Sequence, residues 1–319
     1  MANSNDPSSS SSTSVAVFGP APVLVCTFEH PHDRADPDVA LNVGGQGPWV
    51  ARAVTVLGST AILVAPLGGE TGRAASHLLS DEPYQLRTVD VRAAIACYVE
   101  ERRDGERSCI RDARPGRFGQ RELDRLYTAA LTAALDADVC VITGSPWDDH
   151  VDHALFTRLC ADLSRLGRTT VADLAGNQRD AALAGGVDWL KTAHDELDLD
   201  DPDAADEEAI WAEAERLAKA GDRTRNVVVS RSSEPALVLA DGERHRVTVP
   251  SLTPVDTRGS GDAMTAALAV GLARKLPQDE LLRRAAAAGA SNAVHKGSAT
   301  PDVDLVDRLA GLATVEPDA

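Results

Sequence analysis

The sequence predicts an α/β fold: a largely parallel sheet covered by helices on both faces. Three observations predict it. Short apolar runs alternate with longer segments of helical period. The run over 61–66 is apolar throughout, as a strand covered on both faces is. The segment 122–135 sets Leu123, Leu126, Tyr127, Ala130, Leu131 and Ala134 on one helical face. At 319 residues the chain can bury a core that needs neither disulfide nor metal, and no internal repeat or long linker divides it.

The elements follow in order. Residues 1–14 are Ser-rich and lack the basic head of a signal peptide, so a disordered tail is expected. Strands are expected over 15–18 and 23–28, a helix over 48–57 and the buried strand over 61–66. After the helix over 122–135 come a strand over 139–143, a helix over 151–166, a strand over 169–173 and a short helix including 181–184. A strand over 187–191, a helix over 207–220 and a strand over 226–230 continue the rhythm. Two hairpins interrupt it. Residues 95–100 and 107–111 flank a turn containing Asp104-Gly105, and residues 236–240 and 244–249 flank Asp241-Gly242. The first hairpin reads either as a lid over a cleft or as an edge extension of the main sheet.

Charge and cysteines narrow the class. Lys and Arg number 32 against 49 Asp and Glu, a net −17, which leaves no basic face for nucleic acid or an anionic membrane. No stretch of 18 apolar residues is present, so no membrane span is expected. Cys26, Cys97, Cys109, Cys140 and Cys160 are scattered without a CxxC pair, which suits a reducing compartment and a cytoplasmic protein.

The chemistry concentrates at Asp256-Thr257-Arg258-Gly259-Ser260-Gly261-Asp262, which opens an apolar helix running to about Leu276. A Gly/Ser turn at a helix start points backbone N–H groups outward, and with the helix dipole they form an anion site. Asp262 falls in the first turn, where the dipole favours its ionised form, ready to take a proton from an attacking hydroxyl. An anion cradle beside a carboxylate base is the minimum equipment for phosphoryl transfer to an alcohol. Alone, the same segment also reads as an ordinary capped helix start.

This segment resembles the second signature of the PfkB (ribokinase-like) carbohydrate kinases, Asp-Thr-x-Gly-Ala-Gly-Asp. Other stretches follow in that family's order: Gly44-Gly45-Gln46-Gly47, Leu67-Gly68-Gly69-Glu70-Thr71-Gly72, Gly144-Ser145-Pro146, Asp173-Leu174-Ala175-Gly176, Lys191 with Glu196, and the Ala-rich segment ending in Ser291-Asn292. The spacing is most similar to the 1-phosphofructokinase and tagatose-6-phosphate kinase branch. The resemblance implies a ribokinase-like three-layer sandwich with a small β-lid, as one domain over 15–315 with the lid hairpin near 94–112. It implies ATP-dependent phosphorylation of a sugar or sugar-phosphate hydroxyl. Asp262 would be the base and Gly259, Ser260 and Gly261 the oxyanion donors. Ser230, Arg231, Asp256, Arg258 and Asn292 would hold the nucleotide. Gly44, Gly45, Gln46 and Trp49 would face the acceptor, and Glu196 would organise Mg²⁺. A monovalent cation and a homodimer are further expectations of the resemblance.

The departures from the family pattern are specific. Lys and Asn of Gly-Gly-Lys-Gly-x-Asn are Gln46 and Trp49, the sugar-gripping Asp is Val23, with Asp33, Asp36 or Asp38 as substitutes, and the Asn of Asn-x-x-Glu is Ala193. The nucleotide loop Ser230-Arg231-Ser232-Ser233-Glu234-Pro235 lacks both family glycines, and its Arg231 serves either a phosphate or Glu234. These losses keep two alternatives open: a non-catalytic ligand-binding relative, and a kinase of a nucleoside or other alcohol. His150 and His153 lack a third ligand nearby, and the acidic run 195–208 lacks the glycine of a calcium loop.

Overall fold

The computed structural model describes residues 13–30, 38–103, 106–199, 201, 206–221 and 223–318. Most of the tail, Asp33, Asp36 and the Asp104-Gly105 turn lie outside the described residues. In chain order the elements are β1 (Ser14–Phe18), β2 (Val23–Glu29), β3 (Asp38–Gly44), α1 (Gln46–Val56), β4 (Thr60–Gly68), α2 (Gly69–Ser80), β5 (Gln85–Val91), β6 (Ala96–Arg103) and β7 (Glu106–Ala113). Then follow α3 (Gln120–Leu135), β8 (Val139–Thr143), α4 (His153–Arg165), β9 (Thr169–Asp173), α5 (Gly176–Gly185), β10 (Trp189–Ala193), a 3₁₀ turn (His194–Glu196) and α6 (Glu207–Lys219). The chain ends with β11 (Asn226–Arg231), β12 (Glu234–Ala240), β13 (Glu243–Thr248), α7 (Ser260–Ala273), α8 (Gln278–Ala293), α9 (Val303–Leu312) and β14 (Thr314–Pro317).

The main sheet has ten strands in the order β14-β13-β12-β11-β10-β9-β8-β1-β4-β5. From β11 to β5 every pairing is parallel, and β12, β13 and β14 extend the β11 edge antiparallel. Alternation along each strand divides the core. Val15 and Val17 of β1 face α1, α2, α7, α8 and α9, whereas Ala16 and Phe18 face α3, α4, α5 and α6. This is the expected three-layer α/β sandwich. Helix α7 is buried nearly all round, which explains its almost continuous Ala, Leu and Val.

A second sheet of four strands, in the order β3-β2-β6-β7, stands apart. It contains the first hairpin, so that hairpin does not extend the main sheet. It also recruits β2, which the strand–helix rhythm counts with the main sheet. Its inner face is read from the register: Val25 beside Tyr98, Thr27 beside Glu100 and Glu29 beside Arg102.

Elements without a clear pattern in the sequence are β3, β5, α2, α9 and β14. Strand β5 is a partly exposed edge, so its apolar content is diluted by Gln85, Arg87 and Asp90. Helix α2 opens on Gly69 and Gly72, which read as a turn. The expected domain end at 315 falls inside β14, which pairs with β13, so the fold runs to Pro317.

The parallel strands bring their carboxyl ends together. Phe18 pairs with Ile142, Thr143 with Asp173, Asp173 with Lys191, and Ala193 with Ser230. The strand order reverses direction between β1 and β8, the crevice where open α/β sheets bind ligands.

Candidate active site

The segment from Asp256 to Gly259 turns the chain into α7 at that crevice. Gly259 has φ +82, and a Cβ there would lie 2.6 Å from the Ala299 amide nitrogen, so glycine is required twice over. Ser260, Gly261 and Asp262 occupy the first turn of α7, where amides have no partner within the helix. Asn292, fully buried, holds this turn by donating to the Arg258 carbonyl at 3.0 Å and bonding Ser260 Oγ at 3.2 Å.

Around Asp262 the structure gathers charges. Asp262 is 8% exposed, and its Oδ1 is buried without a hydrogen-bond partner. Lys191, from the middle of β10, places its Nζ 3.2 Å from Asp173 Oδ1, and both groups are buried. The other Asp173 oxygen accepts from Thr265 Oγ1 at 2.6 Å. A Cβ on Gly261 would sit 2.8 Å from Lys191 Nζ, so the ammonium lies directly against the cradle. Burial pulls the Lys191 pKa down, but the charges of Asp173, Glu196 and Asp262 outweigh it and hold the ammonium above its ordinary value. Burial first, then the Asp173 charge, push Asp262 up to about 8 against the opposing pull of Lys191. The expected ionised state at neutral pH is therefore overturned: desolvation outweighs the helix dipole.

A cavity of about 590 Å³ opens beside this cluster, with Lys191, Ser260 and Gly261 in its wall and Met264, Ala286 and Val249 among its apolar lining. Its far end includes Ser230 and Arg231. Arg231 pairs with Glu207 Oε1 of α6 at 2.6 Å rather than with Glu234, while its side chain still lines the cavity. Ser232 takes φ +50, a left-handed conformation that glycine adopts most readily, so the loop makes this turn without a glycine.

Other expected site residues are placed differently. Asp256 and Arg258 do not line this cavity; their side chains turn to the small sheet, where Arg258 meets Glu100 and Asp256 meets Arg102 and Arg107. Asn292 is likewise absent from the cavity wall and acts as a brace. Gln46 Oε1 accepts from the Gly144 amide at 3.1 Å, which ties α1 to the end of β8. Gly45, at φ +99, caps α1 without a side-chain bond. The Trp49 ring lies against Gly44, where a Cβ would approach it to 3.0 Å. These four residues sit at the root of the small sheet beside Val25. Glu196 Oε2 accepts from the Ala193 amide at 2.9 Å and from Thr192 Oγ1 at 3.3 Å, and it belongs to no cluster of three metal-ligating groups among the described residues. One carboxylate beside a phosphate cradle fits magnesium, which keeps most of its waters and relies on phosphate oxygens.

Sequence reasoning left Lys191 as a family marker and Asp173 as a strand end. A charge that terminates an apolar parallel strand at its carboxyl end was the available signal. Glu100, Arg102 and Arg107 gave no such signal, because their partners at the catalytic turn, Asp256 and Arg258, are 149 to 158 residues away.

Known proteins agree with this geometry. The chain is 32% identical over 314 residues to the ATP-dependent 6-phosphofructokinase isozyme 2 of Mycobacterium tuberculosis, covering 94% of this chain and 86% of that one. It is 24% identical to the tagatose-6-phosphate kinase of Staphylococcus epidermidis over 83% of this chain and 86% of that one. The crystal structure of phosphofructokinase-2 from Escherichia coli in complex with potassium shares the fold, with a TM-score of 0.78, 23% identity, and coverage of 94% of this chain and 98% of that chain. These relatives lie in the sugar-phosphate branch that the motifs resemble. Residues 13–304 match the model of the pfkB family carbohydrate kinases, and with an anion cradle, a buried carboxylate and the three-layer fold in register, the chain belongs to that family and is a carbohydrate kinase.

Proposed function

We propose that the protein transfers the γ-phosphoryl group of ATP to a hydroxyl of a hexose phosphate, with Asp262 as general base. The carrying observation is the Asp262 Oδ1 atom, buried and unpartnered in the first turn of α7 and adjacent to the cavity wall. Such an atom is costly unless a ligand completes it. An acceptor hydroxyl is the group that does so, donating to Oδ1 and passing its proton there as its oxygen attacks phosphorus. The Gly261 amide and the Lys191 ammonium face the charge that grows on the transferred group, while the Ser260 amide donates to the Thr257 carbonyl at 3.1 Å. Asp173 and Thr265 hold Lys191 in place. Glu196 would hold Mg²⁺ through water, and the ion, when bound, supplies charge neutralisation on the phosphates. The cavity between α7, α8 and β13 receives the nucleotide.

The names of the relatives support a phosphorylated hexose as acceptor, and the potassium in the Escherichia coli structure supports a monovalent-cation requirement. The small sheet acts as a lid over the acceptor. Its opposite face, where Val39 is 60% and Leu41 51% exposed on one side of β3, receives a second copy of the chain. Five free thiols and the use of ATP support a cytoplasmic location.

The experiment is ADP release with ATP, Mg²⁺ and a panel of sugars, hexose phosphates and nucleosides. A hexose phosphate is expected to give the largest stimulation. Asp262→Asn is expected to lower kcat by about 10²–10⁴-fold while ATP still binds. ATP binding without stimulated turnover on any acceptor would instead establish a non-catalytic ligand binder.

A further inference from the structure

The small sheet is joined to the catalytic turn by ion pairs that the proposed chemistry does not itself use. Glu100 of β6, 2% exposed, accepts from Arg258 Nη1 at 2.9 Å through Oε1 and lies 3.3 Å from Arg107 Nη1 through Oε2. Asp256 Oδ2 lies 3.3 Å from Arg102 Nη2 and 3.4 Å from Arg107 Nη2, and its Oδ1 accepts from the Arg258 amide at 3.1 Å. The Arg258 carbonyl is held by Asn292, so both the guanidinium and the backbone of this residue are anchored. The next residue is Gly259, and three residues further is Asp262.

A buried carboxylate left without its cation is strongly disfavoured. Glu100 keeps Arg107 of its own hairpin, but it holds its second cation, Arg258, only while β6 is seated on the 256–258 segment and that segment holds its present turn. Seating of the sheet and shape of the turn therefore stabilise each other.

We infer that Glu100 and Arg258 are positioning residues, an electrostatic latch that couples seating of the small sheet to placement of the turn that carries Asp262. The inference rests on the kinase reading above. Its chemical consequence is the choice of acceptor. With the latch made, water is kept from the γ-phosphate. With it broken, water competes: its oxygen bonds to phosphorus, the bond to the bridging oxygen of ADP breaks, and the proton passes to solvent.

The test compares wild type, Glu100→Gln, Arg258→Gln, the double variant and Arg258→Lys, each with its melting temperature recorded. ADP release is measured with and without the best hexose phosphate from the panel. Each Gln variant is expected to lower acceptor-dependent kcat at least tenfold, to keep the KM for ATP within about twofold, and to raise the acceptor-free share of ADP release. The double variant is expected to be no worse than the poorer single, since both singles already break the Glu100–Arg258 pair, and Arg258→Lys to recover part of the loss. Multiplying losses in the double, or an unchanged ratio in the singles, overturns the latch. Amide hydrogen exchange in β6 and β7 gives a readout free of turnover and is expected to rise at least tenfold in Glu100→Gln. Unchanged exchange overturns the latch even if wild type proves inactive. Raised exchange with an inactive wild type overturns the kinase reading alone. If the Gln variants do not fold, exchange in Arg258→Lys decides in the same way.

Discussion

Asp262 is pulled two ways. Its place in the first turn of α7 favours the carboxylate, while burial and the Asp173 charge favour the acid, and the acid wins to about pH 8. A base in that state is rate-limited by its ionised fraction, so kcat/KM is expected to climb with pH and level off above about 8. A flat pH–rate profile between 6 and 9 would remove Asp262 from the base role. The same shift has a stability consequence. A folded pKa near 8 lies above the ordinary value of 3.8, so the linked stabilisation is complete below pH 3.8 and is lost as pH rises toward 8. Asp262→Asn carries no such dependence, and its melting temperature relative to wild type is expected to gain between pH 5 and 8 and then stay level. Calorimetry across that range checks the sign. At this scale the sequence placed Asp262 in the first turn of a helix opened by a Gly/Ser turn, since residue type and helix position are local. It misjudged the protonation state, because burial of the carboxyl and the charge of Asp173, from another strand, are set by the tertiary fold.

Among the elements, helices with a strong apolar period were legible because burial of one face is written into the chain at fixed spacing. Helix α4 is an instance: Leu155, Phe156, Leu159, Cys160 and Leu163 form its buried stripe. Phe156 is fully buried and meets Phe18 of β1 edge-on, with ring centroids 6.1 Å apart. Phe156→Ala is expected to cost about 3–5 kcal/mol in urea unfolding. A loss under 1 kcal/mol would show that the α4 layer relaxes around the cavity. Elements that were not legible fall into two kinds. Helix α2 hides behind glycines whose role is steric: a Cβ on Gly72 would come 2.9 Å from the Leu67 carbonyl carbon. Strand β3 leaves most of its length exposed, so no core imprints a period on it. The Asp241-Gly242 hairpin was legible because both residues adopt positive φ, at +49 and +87, as a primed turn demands.

At the scale of the whole molecule, the small sheet has a polar inner face committed to the 256–258 segment and an outer face that leaves Val39 and Leu41 open to solvent. Exposed apolar residues on an unpaired edge strand are a liability unless covered. Leu41→Asp is expected to convert a dimer to a monomer in sedimentation velocity, and a wild-type monomer at tens of micromolar would refute the pairing. The sequence by itself determined the α/β class, the order of most elements and the Gly/Ser turn that sets Asp262 at a helix start, because period, turn residues and helix-start chemistry act between near neighbours. Only the tertiary structure decided that β2 leaves the main sheet, that Lys191 and Asp173 flank the carboxylate, and that Asp256 and Arg258 answer to Glu100, Arg102 and Arg107. Those contacts join segments far apart in the chain, and their free energy comes from burial and charge pairing that no local pattern encodes.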